Sequence, residues 1–193
     1  DRIDLLDRKV EFTYEPGDIL SIRHRQARLW ETQIGDIDAA VRVYREALDV
    51  DSTYKKALDA LERIFEEQER FEELVDVYQK RITATQNPDK QVEFNLEIAS
   101  IQEEQFGAMD EAISAYKNAL MINSENEEAI QNLERIYLDT EQFSELVDII
   151  GHHEEITDNP DKRKNLLNTL AEVYHEELDN PRGSFEACLK SLE

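Results

Sequence analysis

One cysteine, Cys188, stands in the 193 residues, so no disulfide can form within the chain and the redox compartment stays open. Glycine (5) and proline (4) are scarce, which suits short turns between helices and leaves little irregular chain. No apolar run is long enough to span a bilayer, and the first residues lack the basic and apolar regions of a signal peptide. Cations are few: 22 Lys and Arg against 45 Asp and Glu give a net charge of −23. A field of that sign repels nucleic-acid phosphates and anionic lipid, and it favours basic or polar protein partners. Its plainer effect is to keep the exposed faces of many helices in water. The composition, 40% hydrophobic and 35% charged, is helix-rich and far from that of disorder.

What the chain does have is an internal repeat. A shift of 72 residues carries Gly35 to Gly107, Ala40 to Ala112, Tyr44 to Tyr116 and Ala47-Leu48 to Ala119-Leu120. The match runs on through Leu61-Glu62-Arg63-Ile64 with Leu133-Glu134-Arg135-Ile136 and Glu73-Leu74-Val75-Asp76 with Glu145-Leu146-Val147-Asp148. A sustained period of this kind marks a solenoid, whose units bury their apolar faces against their neighbours.

Three prolines keep the same register: Pro16, Pro88 and Pro160. Proline at the first helical position loses no hydrogen bond, and the Asn87 and Asn159 before it can cap. Helices are therefore expected at about 16–33, 88–105 and 160–177. After a short turn at Gly35, Gly107 or Asp179 comes a second helix, with Ala40, Val43, Tyr44, Ala47 and Leu48 on one face. A third is expected from Ser52 and from Ser124, where Ser124 and Glu127 have the spacing of a capping box. A fourth, from about Arg70, carries Phe71, Leu74, Val75, Val77 and Tyr78. No window alternates with period two, so no strand is expected.

The unit is two hairpins, of about 34 and 38 residues. The expected layout is a truncated helix at 1–13 and hairpins at 16–50, 52–85, 88–122, 124–157 and 160–193, about eleven helices in all. Because Asp1–Thr13 aligns with the end of a unit, the chain is expected to be one continuous solenoid cut from a longer repeat protein. Its uncovered ends, Leu5, Leu6 and Val10 at one and Phe185 and Leu189 at the other, would then favour end-to-end self-association.

The run Gly35-Asp36-Ile37-Asp38-Ala39-Ala40-Val41, followed by Tyr44, Ala47-Leu48 and Asp51, resembles the second half of a tetratricopeptide repeat, and Gly107 through Leu120 resembles it equally. The intervening hairpins depart from that pattern: Leu74 and Leu146 stand where the family has a small residue, and Arg81 where it has a second alanine. They are similar to the looser half-a-TPR repeats of RNA-processing scaffolds. The resemblance implies an all-α, right-handed superhelix of antiparallel hairpins with a concave groove lined by the first helix of each. It places Arg25, Leu29, Asp59, Arg63, Glu97, Ile101, Glu104, Gln131, Arg135, Thr169 and Val173 along that groove. The family's carboxylate clamp needs Lys and Asn where this chain has Arg25 and Leu29, so no clamp is expected.

Catalytic constellations are poor. His152 and His153 are adjacent, so on a helix they point about 100° apart and cannot meet at one ion. Their counterparts Lys80-Arg81 and Arg8-Lys9 suggest instead a cationic pair suited to a helix C-terminus. Cys188, on a stripe with Phe185, Leu189 and Leu192, is expected to be a small core residue. No glycine-rich phosphate loop is present. The expectation is a scaffold, neither enzyme nor cofactor- or metal-binding, that takes a protein or peptide with basic and aliphatic residues. A regulatory or sensor arm of a larger catalytic or signalling protein is the alternative. Nucleic acid and membrane insertion are not expected, and the compartment stays open with the cytoplasm slightly favoured.

Overall fold

A computed structural model describes residues 2–192. Among them are eleven α-helices: α1 (Arg2–Glu11), α2 (Pro16–Leu29), α3 (Ile37–Val50), α4 (Lys55–Glu67), α5 (Phe71–Ala84), α6 (Pro88–Glu104), α7 (Met109–Ile122), α8 (Glu127–Asp139), α9 (Phe143–Ile156), α10 (Pro160–Glu176) and α11 (Pro181–Lys190). None is long and apolar enough to cross a membrane. The chain divides into two compact units, residues 1–101 and 102–193, with the division inside α6. Within each unit a helix packs on its neighbours in sequence, α1 to α5 in the first and α7 to α11 in the second. That nearest-neighbour stacking is the signature of a helical solenoid.

The prolines start helices where the sequence put them. Asn159 accepts hydrogen bonds from the backbone N–H groups of Asp161 and Lys162, and Asn87 accepts one from Asp89 at 2.9 Å. The α4 and α8 starts differ from expectation. Asp51 accepts from the backbone N–H and the hydroxyl of Thr53, and Asn123 accepts from the backbone N–H of Glu125. These local turns take up the residues expected to begin a helix. α4 therefore starts at Lys55, and α8 is capped by Asn126, which accepts from Ala129 N–H, not by a Ser124–Glu127 box. α2 ends in a five-residue π-turn, Trp30–Ile34. Gly35 then takes φ +80° and Gly107 φ +61°, a left-handed conformation that costs glycine little. Asp179 fills that place before α11 at φ +46°.

The core follows the repeat. Ala27, Ala40 and Ala47 have no exposed surface, and nor do Ala112, Ala119 and Ala129. Side chains this small let helix axes come close. Larger residues fill the rest: Leu58, Leu61, Ile64 and Phe65 of α4 and Ile130, Leu133, Ile136 and Tyr137 of α8 are at most 2% exposed. The two ends depart from expectation in part. Leu6 is buried with Ile22 and Leu29, and Val10 packs partly on them, while Leu5 is exposed. Cys188 is exposed, although its counterparts Tyr44 and Tyr116 are 1% and 3% exposed. Those tyrosines are covered because a further helix follows theirs; none follows α11 among the described residues.

Ala40→Leu and Ala112→Leu should each cost about 1–3 kcal/mol of stability through overpacking, read by urea unfolding. Ala84→Leu, at an exposed helix end, should change it by less than about 0.5 kcal/mol.

Candidate functional site

The first helices of the hairpins present a recurring polar strip. On α4, Asp59, Arg63, Glu66 and Glu67 are exposed while Ala57, Leu58, Leu61, Ile64 and Phe65 are buried. On α8, Gln131, Arg135, Leu138 and Asp139 hold the matching exposed places. Arg25, Glu97, Glu104 and Thr169 are likewise exposed on α2, α6 and α10. Leu29, Ile101 and Val173 are not surface residues: they are 8%, 8% and 7% exposed. Phe94 and Ile98, at 8% and 7%, join them in the core, which removes the apolar stretches expected along the groove. A helical stripe fixes which residues share a face, and here that face packs inward.

Arg63 of α4 and Arg135 of α8 are each held from two sides. Arg63 Nη2 lies 2.5 Å from Glu31 Oε1, and its Nη1 lies 3.2 Å from Glu67. Arg135 repeats this with Glu103 at 2.7 Å and Asp139 at 3.8 Å. The buried Tyr44 hydroxyl donates to Glu31 at 3.1 Å. Burial and then Glu31 push the Tyr44 hydroxyl well above its ordinary range; burial and then Glu103 push Tyr116 up to about 12. The sequence carried this signal unread, since Glu31, Tyr44 and Arg63 become Glu103, Tyr116 and Arg135 under the 72-residue shift.

A second recurring pair lies inside the looser hairpins. Arg81 of α5 turns onto Asp59 at 2.7 Å and onto Glu62 of α4, and its guanidinium sits 5.6 Å from the Phe94 ring centroid. In the second unit, His153 Nδ1 lies 2.6 Å from Glu134 Oε1 with the imidazole 4% exposed. The dibasic pairs do lie at helix ends, with Arg8, Lys9, Arg81 and His153 in last turns, but in α5 and α9 the pair has a further part. One member turns inward to a carboxylate because the partner helix supplies Glu62 or Glu134 at that level. The two histidines also part company, His152 Nε2 lying 2.6 Å from the Ser124 carbonyl oxygen. Burial, opposed by Arg81, raises the Glu62 carboxyl above its ordinary value.

The sequence profile of the tetratricopeptide repeat matches residues 57–92, which span most of α4, all of α5 and the start of α6. The chain is an all-α helical-repeat protein whose likeness to the tetratricopeptide repeat is shown over that hairpin. No curated protein matches it. Among solved structures, it is similar to YrrB, a TPR protein described as having an unusual peptide-binding site, at 16% identity and a TM-score of 0.44, covering 89% of this chain and 84% of that one. It is similar to BtubC (BKLC) from P. vanneervenii at 16% identity and a TM-score of 0.43, covering 98% and 88%. PilW, a type IV pilus biogenesis factor, aligns at 10% identity and a TM-score of 0.34, covering 89% and 91%. Likenesses this loose decide nothing about what the present repeats bind.

Tyr116 supplies a pH test. Between pH about 10 and about 12 the unfolded chain releases this proton while the folded chain keeps it. The folded state binds more protons there, so stability falls as pH rises through that window. Urea midpoints measured from pH 9 to 11 should decline, and Tyr116→Phe should flatten part of the decline.

Proposed function

We propose that this chain is a non-catalytic scaffold whose exposed first-helix strips take a basic protein segment. The observation that carries the reading is that the arginines of the α4 and α8 strips are already paired and fixed, Arg63 between Glu31 and Glu67 and Arg135 between Glu103 and Asp139. Side chains already held in place lose less entropy when a partner arrives, which favours recognition. The strips are acidic: Asp59, Glu66, Glu67 and Glu97 are exposed in the first unit, and Glu104, Glu128, Asp139 and Glu176 in the second. Lys and Arg in a ligand complement that surface and are steered toward it. Leu138, 56% exposed on α8, offers an apolar contact in the second unit.

A peptide array probed with the whole chain should show binding to Lys- and Arg-rich sequences and little to acidic ones. Glu67→Lys with Glu97→Lys should weaken capture of the best peptide about ten-fold, roughly 1.4 kcal/mol. Asp49→Lys with Asp76→Lys, on exposed second-helix positions, should weaken it much less. Added salt should slow association chiefly, since the Debye length is about 8 Å at 0.15 M. Equal losses from the two pairs would show that overall charge alone is felt and would reject the strip as the site.

A further inference from the structure

The second unit leaves two large apolar side chains in water at one edge. Phe106, in the turn after α6, is 42% exposed, and Leu138, near the end of α8, is 56% exposed. The pair of Glu103 with Arg135 at 2.7 Å ties the end of α6 to α8. Phe106 stands three residues beyond Glu103, and Leu138 three beyond Arg135. The step is helical in both places: Gly107 N–H donates to the Glu103 carbonyl, and Thr140 N–H to the Ile136 carbonyl. The two helices therefore end side by side, with Phe106 and Leu138 at the shared edge.

The first unit shows that the fold does not demand this pair. Under the 72-residue shift Phe106 becomes Ile34 and Leu138 becomes Glu66. Glu66 accepts from the Tyr78 hydroxyl at 3.1 Å, and the counterpart of that tyrosine is Ile150, 3% exposed. Loss of the hydroxyl removes the reason for a carboxylate, yet a leucine with over half its surface in water gains little from the exchange. A single exposed apolar residue is ordinary, but two at one edge make a patch that a partner can cover.

The surrounding charge fixes the chemistry of that partner. Glu104, Asp139 and Glu141 are exposed and lie within a few residues of Phe106 or Leu138 in the chain. Between Lys117 and Lys162 the only Lys or Arg is Arg135, and Glu103 and Asp139 already engage it. An approaching lysine or arginine therefore meets carboxylates, with no unpaired Lys or Arg in that stretch to repel it.

We propose that Phe106 and Leu138 form an anchor site for a partner segment that sets aliphatic side chains between lysines or arginines, the cations falling to Glu104, Asp139 and Glu141. The idea rests on the scaffold reading and adds to it an apolar anchor confined to the second unit.

The test is fluorescence anisotropy of the whole chain with three labelled synthetic peptides. One is lysine-rich with two leucines, the second has serines for the leucines, and the third has glutamates for the lysines. The leucine peptide should bind about ten-fold more tightly than its serine twin, as burial of one leucine side chain implies, and the glutamate twin should not bind. Leu138→Ser and Phe106→Ser should each remove most of that advantage while leaving the serine twin's affinity unchanged. Met121→Ser, at an 80% exposed position on α7, should alter neither. Equal binding of the leucine and serine peptides, a leucine advantage that survives both substitutions, or binding of the glutamate twin overturns the proposal. Circular dichroism checks folding of each variant. Leu138→Glu, which installs the residue of the first unit, is read by the same leucine-to-serine ratio should Leu138→Ser fail to fold. Serine-twin binding with no leucine advantage removes this site and leaves the scaffold reading standing; no binding by either lysine peptide counts against both.

Discussion

Glu62 and Arg81 meet inside the α4–α5 hairpin in a place where the preceding hairpin relies on alanine. Where α3 has Ala40 and Ala47, α5 has Leu74 and Arg81. Both alanines are wholly buried, so α2 and α3 can approach until their backbones limit them. An arginine and a glutamate need more room, and a partly buried charge is tolerable only when paired. Arg81 answers that constraint by engaging Glu62 and Asp59 and stacking over Phe94. A cavity beside them is lined by these same residues. Alternating tight and loose hairpins are thus one fold with two ways of filling the space between a first helix and a second.

The second unit repeats the plan with His153 on Glu134. A histidine is smaller than an arginine and carries charge only when protonated. The neighbouring Glu127–Lys162 pair adds a tie across helices that the first unit lacks. The two units therefore share their core and differ in how they balance charge at the helix ends.

Outside the core, the acidity of the sequence is organised. Glu31 and Glu103 lie mostly buried at the ends of first helices, where each holds an arginine of the next first helix and adds to the effect of burial in raising a tyrosine hydroxyl above its ordinary range. Carboxylates used this way are structural, and exposed pairs of this kind contribute little individually to stability, about 0–1 kcal/mol. Their larger effect is geometric, because they hold long side chains in one arrangement on a surface that would otherwise be mobile.

The sequence by itself determined how the helices repeat and where the three proline-led ones begin. Pro16, Pro88 and Pro160 open helices because proline fits a helix start and little else in a helix, and Gly35 and Gly107 end them because glycine tolerates a positive φ. These are local constraints, readable one residue at a time. Tertiary structure decided which polar residues matter. Leu29, Ile101 and Val173 shared a stripe with exposed residues in sequence, yet only the packing of neighbouring helices turned that stripe inward. The inward turn of His153 onto Glu134 and the pairing of Glu127 with Lys162 join residues 19 and 35 apart. A periodic pattern fixes a residue's direction on its own helix; the partner it meets depends on how far the next helix stands away, and that distance is set by the bulk of side chains on both.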